Sequence, residues 1–312
     1  MIDSSSLSQK PSFSVVGENE IVHLFVRELT VLDYAYFDLD QGPLGGSLDV
    51  DVTFTGALDH EGVVFDFSLA KKAVKRVIDD LCDHRFVVPQ HLTKTLADGR
   101  LEFFAPYGGN QFMRYTCPEQ GLCLLNENQY SLSAMKAYLQ NEIMKVMPPN
   151  VEKVELIFRE EPLEGVPSYR YTHGLKQHYG NCQRLVHGHR NRLDVMVNGR
   201  VSLEMQKQGC ALWDNIHLAF PENIGNADVR IGQRQEHLER VQLAYASSQG
   251  RFELDLPGHS VYVMPLETTV ENIARHMRDR VQEWAGVDRQ VQVFAYEGIR
   301  KGAHSSSKIE SR

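Results

Sequence analysis

The chain has 312 residues, of which 42% are hydrophobic and 24% charged, a composition typical of globular proteins and a length sufficient for two domains. Its formal net charge of −8 argues against a general nucleic-acid-binding protein, because such proteins need a basic face to displace counterions. No run of about 18 apolar residues occurs, so we expect no membrane-spanning segment.

Both ends of the chain are polar and contain several serines. Residues 1–20 and 303–312 are therefore predicted to be flexible tails. The first stretch, MIDSSSLSQKPSFS, has no apolar signal core, and the five cysteines are irregularly spaced, unlike a disulfide framework. We therefore expect a cytoplasmic protein.

The first half, residues 21–164, is predicted to contain both strands and helices. Its first two segments alternate apolar and polar residues, as half-buried antiparallel strands do. The next segment has a helical apolar stripe, and Asp66 and Ser68 offer capping oxygens before it. The predicted elements are strands at 21–30 and 47–56, a helix at 67–81, a hairpin at about 101–125, a helix at about 131–147 and a strand in VEKVELIFREE.

The second half, residues 165–302, follows a similar order, and Pro162 and Gly165 mark the joint. The motif Leu48-Asp49-Val50 recurs as Leu193-Asp194-Val195, at an offset of 145 residues. The predicted elements are strands in SYRYTHGLKQHY and HGHRNRLDVMVNGR, a hairpin in GRFELDLPGHSVYVMP, a helix in TTVENIARHMRDRVQEWAG and a strand in RQVQVFAYEG. The helix of 67–81 has no clear partner here, and residues 203–247 are not assigned. The pattern predicts two tandem units, each an antiparallel sheet with helices.

The stretch NCQRLVHGHR carries the strongest chemical signal in the chain. If it is extended, His187 and His189 lie on one face, because side chains alternate along a strand. Two imidazoles on one face can converge on a metal ion, and catalytic zinc usually has three protein ligands and one open position. The pattern leaves open which residue is the third ligand, and whether Cys182 is a fourth ligand or a separate reactive thiol.

The stretch THGLKQHYGNCQRLVHGHRNRLDVMVNGR resembles the first hairpin of the 6-pyruvoyl-tetrahydropterin synthase family, which includes 6-carboxy-tetrahydropterin synthase. Members have a strand His, a Cys and then His-Gly-His, a helix ending in Asp-His-Arg, a Thr-x-Glu-Asn helix start and a last strand with Glu. GVVFDFSLAKKAVKRVIDDLCDHRF is also similar to the helix segment of that family. The matching residues are His173, Cys182, His187, His189, Asp83-His84-Arg85, Thr269-Val270-Glu271-Asn272 and Glu297.

The resemblance implies an α+β protein of the tunnelling fold. The chain would contain two tandem tunnelling-fold units, each a four-stranded antiparallel sheet with helices on one side. Units of this fold assemble into barrels, so we expect a homo-oligomer with about six units in total, in which barrel closure removes exposed sheet edges.

The resemblance also implies roles for the site residues. His173, His187 and His189 would hold Zn²⁺, although His178 is closer in sequence to the His pair and is a rival third ligand. Zinc would make a neighbouring C–H more acidic as a Lewis acid. Cys182 would be the general base, since thiols near a dication ionise readily, or else an ordinary thiol. The residues expected to bind the pterin are Glu297, Glu271 and Thr269, with a simple helix-dipole role as the alternative for Glu271.

The comparison of the two halves predicts a divided active site. At the offset of 145, the residues opposite the three histidines and Cys182 are Glu28, Gly42, Leu44 and Phe37, so the first half lacks the zinc ligands. This half nevertheless keeps Asp83 and His84, which we expect to relay protons to the site of the second half. Whether the relay acts within one chain or between chains is open, and a helix-terminal His that favours the helix dipole is the alternative.

The function implied by the resemblance is a zinc-dependent lyase acting on a small-molecule pterin, 7,8-dihydroneopterin triphosphate. The pyruvoyl branch eliminates triphosphate and isomerises the side chain, whereas the carboxy branch, on the route to queuosine, also loses acetaldehyde. The spacing Cys-x4-His-Gly-His matches neither branch fully, and the carboxy branch is preferred. The alternatives are a zinc-dependent dihydropterin aldolase or hydrolase of the same fold, and a non-catalytic pterin-binding relative.

Overall fold

The structure, a computed structural model, describes residues 21–225 and 228–307, so the predicted tail of residues 1–20 and residues 308–312 lie outside the described residues. The first half contains β1 (Ile21–Asp38), β2 (Gly42–Ala57), α1 (Phe67–Leu81), β3 (Phe86–Pro89), β4 (Thr93–Thr95), β5 (Leu101–Tyr107), β6 (Gln111–Cys117), β7 (Leu122–Leu125), α2 (Leu132–Met144) and β8 (Val151–Arg159). The second half contains β9 (Ser168–His173), β10 (His187–Val197), β11 (Arg200–Val201), α3 (Leu203–Trp213), β12 (Ile216–Ala219), β13 (Gln233–Arg234), β14 (Arg240–Ser247), β15 (Gly250–Pro257), β16 (Val261–Val263), α4 (Val270–Ala285), β17 (Val291–Tyr296) and β18 (Gly302–Ser306).

The same order of elements occurs in both halves, and the chain is of the α+β class. The series β1, β2, α1, β3, β5, β6, β7, α2, β8 is followed by β9, β10, α3, β12, β14, β15, β16, α4, β17. Each of the four α-helices in the described part of the chain begins after a side chain that accepts a backbone N–H of the first turn, which satisfies one of the free donors there. These capping residues are Asp66, Ser131, Ser202 and Thr269.

The first sheet has five strands in the order β7-β3-β1-β2-β8, not the four predicted. It is mixed, because β1 pairs with β3 and β3 with β7 in parallel, whereas β2 pairs antiparallel with β1 and β8. The added strands β3 and β7 are apolar runs of four residues, too short to show the alternation that identifies a strand in sequence. Both α1 and α2 pack on one face of this sheet in a common hydrophobic cluster.

The second sheet has eight strands, with β9 and β10 at its centre and β11 paired to β10. Its helices α3 and α4 pack in one cluster with β10 and β17, so the second half does have a counterpart of α1. The sequence hides α3 because Gly209 lies in it, and glycine is a poor helix former. Glycine allows α3 to pack closely here, because a Cβ at this position would overlap the Cδ2 atom of Leu193 of β10.

A third sheet, ordered β14-β15-β6-β5-β4, joins the two halves. Its central pair places Leu254 of β15 opposite Tyr115 of β6, and both side chains lie in a cluster shared by the halves. The hairpin predicted at GRFELDLPGHSVYVMP is therefore incorrect, since β15 pairs with β14 and β6 while β16 pairs with β12 and β13. Residues 203–247 supply α3 and the strands β12, β13 and β14.

The C-terminal boundary also differs from the prediction. Residues 303–306, expected in a flexible tail, belong to β18, which pairs antiparallel with β17. Exposed and partly buried residues alternate along β18, but its sequence, GAHSS, has too few apolar residues to reveal this alternation. Among the described residues, no helix has the length and apolar character needed to cross a membrane.

The sheets of the two halves touch through glycine. A Cβ added at Gly188 of β10 would lie 2.8 Å from the Cα of Gly45 of β2, and one added at Gly45 would overlap the backbone of Tyr171 and His189. Arg170 also donates to the carbonyl oxygen of Gly45 at 2.8 Å. Only residues without a side chain allow β2 and β10 to approach this closely.

We predict that Gly45→Ala lowers the free energy of unfolding by about 3 kcal/mol, because the new methyl group forces two backbones apart. Gly225→Ala is the matched control, since its Cβ would meet only Gln242 O, at 3.8 Å. The control should change stability by less than about 0.5 kcal/mol. Urea denaturation measures both values, and equal stability of the two variants would contradict the close contact.

Candidate active site

Three histidines converge where β9 ends and β10 begins. His173 is the last residue of β9 and pairs with His187, while His189 pairs with Tyr171. The strand alternation places His187 and His189 on one face, and their partner strand adds His173 beside them. All three side chains are fully buried.

His173 and His187 are held in the form that binds a metal ion. The Nδ1 of His173 lies 3.0 Å from the carbonyl oxygen of Thr268, and that of His187 lies 2.8 Å from the carbonyl oxygen of Arg184. Because a carbonyl only accepts, each Nδ1 carries the proton and each Nε2 has a free lone pair. Burial, followed by the neighbouring histidines, lowers the pKa of both rings well below the ordinary value, so both are neutral.

His189 completes the group. Its Nδ1 lies 3.2 Å from Asp33 Oδ1, an ion-pair distance without hydrogen-bond geometry, and its Nε2 lies 3.3 Å from the Nε2 of His173. Within the described residues, Nε2 of His187 has no hydrogen-bond partner. Potential ligand atoms of the three rings lie within 4.8 Å of one another. Lone pairs facing each other in a buried space repel unless a cation lies between them, so the donor set fits a metal ion.

Asp83 and His84 reach this group from the first half of the same chain. They follow α1, where His84 has a positive φ of 55°, and Asp83 Oδ2 lies 2.6 Å from His84 Nδ1. The His84 ring is 5.0 Å from the His187 ring, centre to centre, and one of its nitrogens lies within 4.8 Å of Cys182 Sγ. The structure therefore brings the Asp-His pair to the thiol within one chain.

The charge of His84 is set by two opposing effects. Burial by itself lowers the pKa of His84, but the hydrogen-bonded carboxylate of Asp83, and after it the neighbouring Cys182, raise it to about 10. At neutral pH the imidazole is therefore protonated. An imidazolium fixed beside a thiol can stabilise its anion and can exchange a proton with it.

Cys182 lies in a short 3-10 turn, Asn181–Gln183, within the loop of residues 174–186. The guanidinium of Arg184 fastens this turn by donating to the Asp83 carbonyl oxygen at 2.9 Å and to Asn181 Oδ1 at 2.8 Å. Cys182 forms a potential ligand group with His84 and His187, whereas the three-histidine group does not include it. The geometry thus places the thiol beside the histidines as a separate group.

The predicted substrate residues occupy different surroundings. A carboxylate oxygen of Glu297 lies 3.9 Å from His189 Nε2, and its side chain is 22% exposed. Thr269 caps α4, where its hydroxyl accepts a backbone N–H three residues ahead, and Glu271 is exposed in the first turn. Thr268, which the sequence did not single out, is the residue of this segment that contacts His173.

His178, the rival third ligand, is not part of the histidine group. It is exposed, and its Nδ1 lies 2.7 Å from the carbonyl oxygen of Tyr179. His173 is instead placed by the pairing of β9 with β10, which closeness in sequence could not indicate.

The counterparts in the first half differ from those at a constant offset of 145. The loop between β1 and β2 comprises residues 39–41, whereas the loop between β9 and β10 comprises residues 174–186, so one offset cannot hold for both strands. Pairing of Tyr36 with Leu44, and of Tyr34 with Gly46, matches the pairing of β9 with β10. The counterparts of His173, His187 and His189 are therefore Tyr36, Leu44 and Gly46, rather than Glu28, Gly42 and Leu44. Cys182 lies in the longer loop of the second half, so Phe37 is not its counterpart.

The counterpart of His84 is Asn215. Both have a positive φ, 55° and 54°, and both follow the C-terminal end of a helix. The backbone N–H of His84 donates to Asp33 O, and that of Asn215 donates to Arg170 O. The second half thus keeps an acid, Asp214, at this corner and lacks only the imidazole.

Sequence reasoning missed two residues that hold the site, Asp33 and Thr268, and it did not find that Arg184 fastens the loop. Arg184 and Thr268 act mainly through backbone oxygens, for which no residue pattern exists. Asp33 had a detectable signal, since apolar residues flank it in TVLDYAYFD, which lies beyond the strand predicted at residues 21–30.

Comparison with known proteins gives related results. The solved structure of Plasmodium falciparum 6-pyruvoyl tetrahydropterin synthase aligns at 22% identity and a TM-score of 0.37, covering 46% of this chain and 94% of that chain. That of the Plasmodium vivax enzyme aligns at 19% identity and a TM-score of 0.34, covering 45% of this chain and 99% of that chain. No match was found among the curated proteins.

The sequence model of one family matches both halves of the chain. It is described as 6-pyruvoyl tetrahydropterin synthase, and it matches residues 45–118 and 166–305, about two thirds of the sequence. The second segment contains the three histidines, Cys182 and Glu297, and the first contains Asp83 and His84. The chain therefore belongs to the 6-pyruvoyl tetrahydropterin synthase family.

Proposed function

We propose that this protein is a zinc-dependent pterin synthase that acts on 7,8-dihydroneopterin triphosphate. It eliminates the triphosphate and releases 6-carboxy- or 6-pyruvoyl-tetrahydropterin. The observation that carries the proposal is the placement of His84 and Cys182, whose ligand atoms lie within 4.8 Å of each other and of a His187 nitrogen, beside three buried histidines in a member of this family. An acid-base pair next to a metal-ligand group suits proton abstraction from carbon.

The three histidines suit zinc. Two nitrogens bonded to one tetrahedral Zn²⁺ at about 2.0–2.1 Å are about 3.3–3.4 Å apart, and the Nε2 atoms of His173 and His189 are separated by 3.3 Å. His187 supplies the third nitrogen, and three protein ligands leave one position open. Bound zinc supplies Lewis-acid polarisation of the hydroxyl groups on the pterin side chain, which acidifies the neighbouring C–H.

The proton chemistry falls to the residues of this chain. Cys182, as a thiolate, removes a proton from the side-chain carbon of the substrate. His84 stabilises the thiolate through its positive charge and exchanges protons with the thiol. The Asp83 carboxylate accepts a hydrogen bond from the Nδ1–H of His84, so Nε2 is the nitrogen that exchanges protons.

Glu297 anchors the pterin ring in this proposal. Its carboxylate can accept two parallel hydrogen bonds from a ring N–H and an amino group, and it lies beside the histidines. Thr269 and Glu271 begin the helix next to the His173 partner Thr268, from which they can contribute a weaker contact.

We also propose that the chain forms a homo-oligomer. Strand β8 is the last strand of the first sheet, with a free edge among the described residues. A free edge of this length favours pairing with another strand. Three chains would provide the six units expected of a family barrel assembly. In this proposal the enzyme is located in the cytoplasm.

The proposal predicts about one zinc ion per purified chain and conversion of 7,8-dihydroneopterin triphosphate to a tetrahydropterin, whose mass identifies the branch. His173→Ala should lose the metal because it removes one of three ligands. His178→Ala is the matched control and should keep it. Plasma mass spectrometry measures the metal. Absence of zinc would contradict the metal site, and zinc without turnover would favour a non-catalytic pterin-binding protein.

We expect His84→Ala and Cys182→Ala each to lower kcat by about 10²–10⁴-fold while retaining zinc, because each removes a proton-transfer group but no ligand. Asn215→Ala is the matched control for His84→Ala, since both replace a residue with φ near 55°. The control should leave kcat within about twofold. If His84→Ala turned over at the control rate, the divided site would be wrong. Turnover without Cys182 would instead favour an aldolase or hydrolase.

Glu297→Gln should raise KM about 10- to 100-fold, because it removes the charge from two hydrogen bonds to the pterin. Glu271→Gln should change KM far less, since the Glu271 side chain is exposed at the start of α4. Steady-state kinetics on zinc-loaded protein measures both. Equal effects of the two substitutions would place the pterin between the two acids and not at Glu297.

A further inference from the structure

We propose that Asp33 of the first half is a positioning residue for the metal site of the second half. In this proposal, its carboxylate orients the ring of His189 and strengthens the bond of that ring to the metal. The inference rests on the metal site of the proposed function. It assigns a second contribution of the first half, independent of the Asp83-His84 pair.

Asp33 is 1% exposed, and three side chains surround its carboxylate. Ser47 donates to Oδ1 at 2.6 Å, and Lys301 Nζ lies 2.8 Å from Oδ2. The Nδ1 of His189 lies 3.2 Å from Oδ1. Ser47 comes from β2 of the first half, whereas Lys301 and His189 come from the second half, so the carboxylate joins both halves.

Lys301 gives the Asp33 carboxylate a cationic partner on Oδ2, which leaves Oδ1 to Ser47 and His189. A carboxylate on the Nδ1 side of an imidazole favours the Nδ1–H tautomer and increases the electron density at Nε2. Nε2 of His189 is the nitrogen that faces His173.

The three histidines differ in what holds them. Nδ1 of His173 and of His187 each meets a neutral backbone carbonyl, whereas that of His189 meets a charged carboxylate. The chain also leaves room for this acid, because a Cβ at Gly298 would overlap the Asp33 carboxylate. Glycine at position 298, next to Glu297, is thus needed for the approach of Asp33 to His189.

The duplication provides an independent comparison. The backbone hydrogen bonds that match His84 with Asn215 also match Asp33 with Arg170. Arg170 donates to Gly45 O at 2.8 Å and pairs with Glu160 at 3.1 Å. The acid Asp33 therefore occurs in β1, from which it faces His189, whereas the matching position in β9 holds the cation Arg170.

The test is the dissociation constant of zinc in wild-type protein and in Asp33→Asn, measured by competition with a chelator. We expect this constant to rise about 10- to 100-fold, as when the outer partner of a ligating histidine is lost. In cobalt-substituted protein, the visible absorption bands should shift because the His189 ligand changes its basicity. A role limited to folding would leave these bands unchanged.

Asp51→Asn is the matched control. Asp51 is 2% exposed and is paired with Arg159 at 2.7 Å and Arg27 at 3.0 Å, so its substitution also neutralises a buried carboxylate that has cationic partners. It should lower stability and leave the zinc constant and the cobalt bands unchanged. Ser47→Ala serves as a milder variant, which removes one donor to Asp33 and should raise the zinc constant roughly threefold.

The outcomes separate this inference from the proposed function. If wild type binds zinc and Asp33→Asn binds it within twofold of wild type, the positioning role is overturned and the metal site stands. If Asp33→Asn does not fold, an unchanged zinc constant in Ser47→Ala overturns it instead. If wild-type protein binds no zinc, the proposed metal site and this inference both fail.

Discussion

The contact between Gly45 and Gly188 is the constraint on which the arrangement of the site depends. A methyl group at Gly188 would lie 2.8 Å from the Cα of Gly45, so the two sheets meet through their backbones. This contact goes with the approach of the corner after α1 to the second half, where a nitrogen of His84 lies within 4.8 Å of Cys182 Sγ. Any larger residue at the contact would separate the Asp-His pair from the thiol by the thickness of a side chain.

Charge reinforces the glycine contact. Arg300 of the second half binds Asp49 of the first in a two-point pair, with both N–O distances at 2.6 Å, and Lys301 binds Asp33. Two successive basic residues thus reach two acids on neighbouring strands of the other half. The two acids are buried but Arg300 and Lys301 are half-exposed, so the pairs add orientation more than net stability, because solvent screening and desolvation of the acids offset much of the attraction.

Much of the local structure could be predicted from the sequence because it depends on neighbouring residues. The apolar stripe and the Asp66 cap identify α1, and alternation places His187 and His189 on one face. The family resemblance, which the family match confirms, supplied Asp83 and His84. Features that depend on contacts between distant residues could not be predicted. Gly209 obscures α3 in the sequence because its role is to let the helix pack against Leu193. The role of Asp33 depends on His189 of the other half.

The joining of both halves in one polypeptide has a consequence for how the site behaves at low protein concentration. Each partner of the His84–Cys182 pair is tethered to the other, so its local concentration is on the order of millimolar whatever the concentration of the chain. When two separate subunits share a site, dilution dissociates them and the site loses the residues of one subunit. The first half carries no imidazole at the matching positions, which are Tyr36, Leu44 and Gly46, and Tyr36 instead stacks on Tyr130 with ring centres 4.2 Å apart.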